Sequence, residues 1–174
     1  MVARLVHIQE VVGSIPTAAI KMKNIPSTSL LETAAPIHVW EEAVKQAQRS
    51  CHHRHRTGAV IFKGDKIFSK GCAHKHDGGM AINSIHAEHH ALQNFRDTDL
   101  SANICVVTIT RVGNFARSSR PCHACSALLE KHLNRVVYCE MTNDGQWVVN
   151  DVRTDDLFER TDIKRGKYAS EMRM

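Results

Sequence analysis

Two short stretches, His86-Ala87-Glu88 (HAE) and PCHAC at 121–125, decide the fold predicted for this chain. An HxE triplet is expected roughly 0.6 times by chance in such a composition, so the first stretch carries little weight alone. The PCxxC pattern is expected only about 0.004 times, because the chain has four prolines and six cysteines. The second stretch is therefore the stronger signal, and the first gains weight beside it.

The spacing of the two cysteines predicts a metal site. Cysteines at i and i+3 in a first helical turn can direct both sulfurs to one point, where the helix N-terminus stabilises thiolates. With His86 as third ligand beside Cys122 and Cys125, a zinc ion keeps one tetrahedral position open, as catalytic sites do. Glu88 lies two residues from His86 and can accept a proton from a metal-activated water. We predict Zn²⁺ as the cofactor and Glu88 as the catalytic residue.

Hydrophobic periodicity places both stretches at helix starts, among alternating helices and strands. The turn at 142–145 is so short that the strands it joins must be antiparallel. The first predicted elements are a helix from Pro36, a hairpin of strands 59–63 and 66–72, and a helix capped by Asn83 or Ser84. A strand at 104–109, covered on both faces, follows them. Pro121 then opens a helix that buries Ala124, Leu128, Leu129 and Leu133, and the last elements are strands 135–140 and 147–153.

With these motifs in this order, residues 36–153 resemble the cytidine and deoxycytidylate deaminase superfamily, which carries H-x-E and P-C-x-x-C. The resemblance implies an α/β fold, a three-layer α/β/α domain with a mixed five-stranded sheet. It implies that hydroxide on zinc attacks the carbon that bears the amino group, while Glu88 protonates the ring nitrogen and then the departing ammonia. It also implies that the backbone N–H of Ala87 binds a ring carbonyl of the substrate.

Three departures from the family pattern bear on the substrate. Gly71-Cys72-Ala73 stands where many nucleotide and tRNA deaminases have G-x-N, whose asparagine contacts the sugar. The turn at 142–145 favours the antiparallel last strand of nucleoside deaminases, which usually have cysteine where this chain has His86. The sequence thus combines features of several subfamilies.

Three functions follow as hypotheses. The first is deamination of a free cytosine nucleoside or nucleotide. The second is deamination of a base within tRNA or single-stranded DNA, favoured by the basic segment at 49–56 and by His86 as first ligand. The third is a zinc-stabilised interaction domain without catalysis, in which Cys139 or His123 fills the fourth position.

Composition predicts one domain with two tails. At 174 residues and 43% hydrophobic content, the chain can build one core. Residues 1–33 lack periodicity and are predicted to be a disordered N-terminal tail. Residues 34–153 form the predicted deaminase domain, and the charged residues 154–174 a tail or short helix.

Charge and cysteine usage bear on compartment and partners. The net charge of +5 is spread along the chain, so a nucleic-acid partner is possible but not favoured over a small nucleoside or nucleotide. The six cysteines do not read as a disulfide framework, and polar residues interrupt the apolar start of the chain. No apolar run approaches a membrane span. We expect a cytoplasmic homo-oligomer without membrane contact.

Overall fold

The computed structural model describes residues 26–52, 55–75, 84–97, 101–116 and 118–157. Within that part of the chain, no helix is both long and apolar enough to cross a membrane. The elements in chain order are α1 (Thr28–Leu31), α2 (Ile37–Arg49), β1 (His55–Lys63), β2 (Lys66–Cys72), β3 (His74–Lys75), β4 (Ser84–Ile85), α3 (Ala87–Asn94), β5 (Asn103–Thr110), α4 (His123–Leu129), β6 (Arg135–Met141), β7 (Trp147–Arg153) and a 3₁₀ turn at Asp155–Leu157.

The main sheet has five strands in the order β2-β1-β5-β6-β7. β5 and β6 run parallel, because the chain between them crosses over through α4, and the other neighbouring strands are antiparallel. The two-residue loop Gly64-Asp65 closes the β1–β2 hairpin, where Lys63 pairs with Lys66. Met141 pairs with Trp147 across the turn between β6 and β7. The predicted mixed five-stranded sheet is confirmed.

Helix α2 covers one face of this sheet. Its buried residues Val39, Trp40, Ala43 and Ala47 recur at the three- and four-residue spacing that places them on one side of a helix. They pack in one cluster with inward side chains of β1, β5 and β6, namely Val60, Phe62, Cys105, Val107, Ile109, Val137 and Cys139. This side of the core is closed by large apolar residues and holds none of the predicted site residues.

Helices α3 and α4 lie on the opposite face. Ala87, Ala91 and Leu129 are fully buried there, in one cluster with Ile104 and Val106 of β5. Because successive side chains of a strand point to opposite faces, Ile104 and Val106 meet α3 and α4, whereas Cys105 and Val107 meet α2. The predicted three-layer α/β/α architecture is confirmed.

Two glycines allow helix backbones to lie directly on the sheet. A Cβ at Gly71 of β2 would lie 2.3 Å from both the Ala87 carbonyl oxygen and the Ala91 nitrogen of α3. A Cβ at Gly58 of β1 would lie 2.2 Å from the Ala43 carbonyl oxygen of α2. Any larger residue at either position would force its helix away from the sheet.

The fold extends into the segment predicted as an N-terminal tail. Ser27 caps α1 by accepting a hydrogen bond from the Leu30 N–H, and Leu31 is only 2% exposed. The Trp40 indole donates to the Leu31 carbonyl oxygen at 3.0 Å. The Ser/Thr-rich composition concealed this short helix, because its single buried leucine is too little for a periodic signal. Residues 1–25 of the predicted tail lie outside the described residues.

The predicted C-terminal segment also begins within the fold. Thr154 is buried and its hydroxyl donates to the Leu133 carbonyl oxygen at 2.7 Å. The 3₁₀ turn that follows buries Leu157 completely. Residues 158–174 lie outside the described residues.

Two helix starts differ from the sequence interpretation. The N-cap of α3 is His86, whereas Ser84 belongs to β4 and Asn83 lies outside the described residues. The prediction that Ser84 caps α3 was wrong, because that residue pairs with Lys75 of β3. Helix α4 begins at His123 with Cys122 as its N-cap, two residues after the predicted opening proline.

The inward face of α4 is also rotated from the prediction. Ala124 is exposed, although it was expected in the buried face, and Leu128 is half-buried. Leu129 is buried as predicted, and Cys125 and Ser126 face inward with it. The rotation brings the sulfur of Cys125 toward α3, which an apolar pattern alone does not reveal.

Candidate metal centre and active site

A cavity of about 420 Å³ lies at the edge of the sheet where α3 and α4 begin. The start of β1 and the end of β5 meet at this edge, because the two strands are antiparallel, and Thr57 pairs there with Thr108. The cavity is lined by His52, Thr57, Ala73, Ser84, His86, Ala87, Glu88, Thr108, Ala116, Ser118, Ser119, Arg120 and Cys122. Most of these residues have polar side chains, which can bind the polar groups of a small molecule.

His86, Cys122 and Cys125 converge at one end of the cavity. The Nδ1 of His86 lies 3.4 Å from the Cys122 Sγ and 3.3 Å from the Cys125 Sγ. The three candidate ligand atoms all lie within 4.8 Å of one another. This spacing matches three corners of a coordination tetrahedron around one ion.

Two helix starts produce this convergence. His86 is the N-cap of α3 and Cys122 the N-cap of α4, so both residues have extended backbones that lead into a first turn. Cys125 follows three residues later on the same side of α4, at the spacing predicted from PCxxC. The first turn of α4 lies beside the sulfurs, and a hydrogen bond from the Cys125 N–H helps to lower the pKa of Cys122, which favours its thiolate.

The segment that leads to Cys122 is held by hydrogen bonds to the sheet. The Ala116 N–H donates to the Thr108 carbonyl oxygen at 2.8 Å, and the Ser119 N–H donates to the Cys139 carbonyl oxygen at 2.9 Å. The Thr108 N–H donates to the Ser119 hydroxyl at 2.8 Å. The position of the two cysteines is therefore set by β5 and β6 as well as by α4 itself.

Glu88 lies in the first turn of α3 and is only 4% exposed, yet it borders the cavity. Burial raises the pKa of its carboxyl group above the usual value, and the neighbouring Cys122 raises it further, while His86 opposes the shift. A carboxyl group that binds its proton more tightly than usual beside a cavity suits general acid-base chemistry.

The sulfurs and the imidazole influence one another strongly. Hydrogen bonds from Cys125 and from His86 lower the pKa of Cys122, while the hydrogen bond to Cys122 and burial raise the pKa of Cys125. The hydrogen bond with Cys122 raises the pKa of His86. One thiolate is therefore already favoured among these groups, as a ligand set for a cation requires.

The donor set fits zinc. Two sulfurs and one imidazole nitrogen are ligands that zinc prefers. Ions such as Mg²⁺ prefer oxygen ligands instead. Cys125 is buried and linked to the helix start, whereas His86 and Cys122 border the cavity. Three protein ligands would leave one position for water or substrate.

The structure brings the predicted site residues together. His86, Cys122 and Cys125 form one cluster, and Ala87 and Glu88 line the same cavity. Cys139, considered as a fourth ligand, lies on the α2 side of the sheet in the cluster with Cys105, so that assignment was wrong. Cys139 lies two residues after Val137 in β6, so both side chains point to the face of the sheet that α2 covers. The zinc ligands lie on the opposite face.

Several residues of the cavity were not predicted from the sequence. Thr57 and Thr108 enter it from neighbouring strands, with their hydroxyls 3.1 Å apart. Arg120 lines it directly before Pro121, and this adjacency to PCxxC was the available signal for it. No motif marks the two threonines, because only strand pairing brings them together.

A family model described as "Cytidine and deoxycytidylate deaminase zinc-binding region" matches residues 36–140. No curated protein matches the chain in sequence. Solved structures similar to this chain include a cytidine deaminase from Burkholderia pseudomallei, at 21% identity over 76% of this chain and 96% of that chain, with a TM-score of 0.49. A cytidine deaminase from Mycobacterium tuberculosis is 16% identical over 67% and 87% of the two chains, with a TM-score of 0.44. A dCMP deaminase from the cyanophage S-TIM5 is 16% identical over 58% and 82%, with a TM-score of 0.41.

Proposed function

The chain belongs to the cytidine and deoxycytidylate deaminase family, and we propose that it hydrolyses the amino group from a free cytosine nucleoside or nucleotide. The observation that carries this proposal is the convergence of His86, Cys122 and Cys125 beside the buried carboxyl group of Glu88, within one cavity. Such a set combines a metal site with a proton carrier, which hydrolysis of an amino group requires.

His86, Cys122 and Cys125 would hold the zinc ion. Zinc bound there supplies a water molecule whose pKa is lowered to about 7. Glu88 would take one proton from this water and pass it to the ring nitrogen beside the amino-bearing carbon. It would then take the second proton from the added hydroxyl and pass it to the amino group, which leaves as ammonia. The Ala87 N–H, free in the first turn of α3, donates to the ring carbonyl. Water and the amine are consumed, and a carbonyl group and ammonia are produced.

Arg120 favours a substrate that carries a phosphate. Its side chain lines the cavity, and its Nε is buried without a hydrogen-bond partner among the described residues. The Nη2 donates to the Leu157 carbonyl oxygen at 3.4 Å. A guanidinium group with an unpartnered donor at the wall of a cavity is well suited to a phosphate or another anion.

The sugar would be bound differently from the common family pattern. Ala73, which stands where many relatives have asparagine, lines the cavity but offers no polar side-chain atom. The hydroxyls of Thr57 and Thr108 lie in the same cavity and can bond to a sugar hydroxyl. We propose these two threonines as the replacement for the missing amide.

A substrate panel tests the proposed reaction. Zinc-loaded protein is incubated with cytidine, deoxycytidine, CMP, dCMP, adenosine, guanine, a single-stranded DNA and a tRNA, and ammonia is measured. Release from the free cytosine compounds is expected. Turnover confined to the polymers would refute the free substrate, and no turnover on any of them would refute a deaminase.

Arg120→Ala tests the phosphate contact. Loss of a charge-assisted hydrogen bond costs about 1.5–3 kcal/mol, so the KM for the nucleotide should rise roughly 10- to 100-fold. The corresponding nucleoside is the matched control, and its KM should stay the same. An equal change for both substrates would contradict a phosphate contact.

Cys122→Ala tests the metal assignment. This variant should lose the zinc held near His86, because two protein ligands bind far more weakly than three. His123→Ala, which changes the exposed neighbour, is the control and should keep its zinc. Full zinc content in Cys122→Ala would refute the ligand set.

A further inference from the structure

A second cluster of metal-binding side chains lies outside the cavity lining. It consists of Cys72 at the end of β2, His74 at the start of β3 and His90 in α3. One candidate ligand atom from each residue lies within 4.8 Å of the others, the same limit that the first cluster meets. All three side chains are half-buried, so they are shielded yet reachable by an ion.

The two imidazoles are already oriented around Cys72. The Nδ1 of His74 lies 3.1 Å from the Cys72 carbonyl oxygen, and the Nδ1 of His90 lies at the same distance from that oxygen. The Cys72 N–H is also 3.2 Å from the His90 Nδ1. When the His74 Nδ1–H donates to this carbonyl, the Nε2 keeps its lone pair for a metal. The His90 Nδ1 accepts from the Cys72 N–H in one tautomer and donates to the Cys72 carbonyl in the other, and the second tautomer leaves its Nε2 lone pair for a metal.

The rings also contact each other. Their centroids are 4.6 Å apart with an interplanar angle of 69°, which places the edge of one ring toward the other. Two histidines held this close, with a cysteine between them in space, bring two nitrogens and one sulfur together. These are borderline and soft donors, the preferred ligands of zinc.

The second cluster is distinct from the first. Neither Cys72, His74 nor His90 lines the cavity, and none of them belongs to the group of His86, Cys122 and Cys125. His90 follows His86 by four residues and thus lies one helical turn further along α3. The Ser50 hydroxyl donates to the Ala73 carbonyl oxygen at 2.7 Å. This hydrogen bond holds the end of α2, with the exposed Cys51 that follows it, next to the segment between Cys72 and His74.

We propose that Cys72, His74 and His90 bind a second zinc ion. This ion links the end of β2 to α3. Its ligands Cys72 and His90 are 18 residues apart in the sequence. The fourth position is open to water or to the Cys51 thiol. Because Ala73 lies between two of the ligands and lines the cavity, the second zinc fixes the wall of the substrate site.

Metal content tests the proposal. The full chain is saturated with zinc, freed of excess metal by gel filtration and analysed by inductively coupled plasma mass spectrometry. The wild type should hold two zinc ions per chain, and His90→Ala and Cys72→Ser should each hold one. His89→Ala is the matched control, because His89 is the exposed neighbour of His90 on the same helix, and it should hold two.

A wild-type measurement covers the case in which the variants do not fold. Cobalt is titrated into chelator-treated wild-type protein, and the sulfur-to-cobalt charge-transfer absorption should rise over two equivalents. One zinc in the wild type, with saturation by one equivalent of cobalt, would overturn the proposal. Two zinc ions in both wild type and His90→Ala would overturn it as well.

The result is independent of the proposed reaction. Cys122→Ala should lose one zinc together with deaminase activity, whereas His90→Ala should lose the other zinc and keep the ligands of the active site. A chain that holds two zinc ions but deaminates nothing would refute the reaction and leave the second site standing. A chain that deaminates but holds only one zinc ion would refute the second site and leave the proposed reaction standing.

Discussion

Gly71→Ala should separate helix α3 from the sheet and damage the proposed active site. The added Cβ would lie 2.3 Å from the Ala87 carbonyl oxygen and the Ala91 nitrogen, whereas ordinary contact begins at 3.4 Å. The obstructing atoms are backbone, so α3 itself must move by roughly 1 Å. Overpacking of this kind costs about 1–3 kcal/mol of unfolding free energy.

The same movement carries functional groups with it. His86, Ala87 and Glu88 all lie at the start of α3, so its displacement shifts a zinc ligand, a substrate contact and the proton carrier together. A misplacement of about 1 Å lowers turnover by around 10²-fold. Zinc affinity should fall as well, because His86 would leave the two cysteines that α4 holds in place.

Gly58→Ala is the matched control on the opposite face. Its Cβ would lie 2.2 Å from the Ala43 carbonyl oxygen and 2.3 Å from the Ala47 nitrogen, so it displaces α2 by a similar amount. Helix α2 carries none of the proposed site residues. This variant should lose similar stability but keep zinc affinity and turnover close to the wild type.

Both variants are compared by urea unfolding, by competition for zinc with a chromogenic chelator, and by ammonia release on the best substrate of the panel. The reasoning would be refuted if Gly71→Ala kept wild-type stability and zinc affinity. It would also be refuted if Gly58→Ala lost zinc affinity to the same extent, because the damage would then not travel through α3.

The remaining predictions concern catalysis, the N-terminal boundary and the buried thiols. Glu88→Gln should keep its zinc and its fold but lose about 10⁴-fold in turnover. Steady-state kinetics and metal analysis of the variant test this prediction. Unchanged turnover would contradict the role of Glu88 as proton carrier. Leu31→Ala, at a residue only 2% exposed, should lower the unfolding free energy by about 2–4 kcal/mol in urea, and no loss would exclude α1 from the core. Burial raises the pKa of the Cys105 thiol and raises the pKa of the Cys139 thiol to about 12. Iodoacetamide at pH 8 should therefore leave both thiols unmodified until guanidinium unfolds the chain. Mass spectrometry measures the modification. Rapid labelling of Cys139 in the folded protein would contradict its position under α2.

Much of the fold could be predicted because its signals are local. The apolar run of β5, the hairpin turn at Gly64-Asp65 and the short link between β6 and β7 each depend on a few adjacent residues. Helix starts were less accurate, since a cap depends on how the preceding chain arrives. Ser84 is a good capping residue by type, yet it pairs with Lys75 in a strand.

The candidate site divides in the same way. The donor types and their local spacing could be predicted, because PCxxC places two sulfurs in one helical turn and HAE places an imidazole two residues from a carboxyl group. Tertiary structure alone decided that α3 and α4 begin at the same edge of the sheet, that Arg120 and two threonines enter the cavity, and that Cys139 lies on the wrong face. It also decided that Cys72 and His90, which no motif connects, lie together. The physical reason is that spacing along one element follows from fixed backbone geometry, whereas proximity between elements depends on strand order, sheet face and helix rotation, which are set by packing of the whole core.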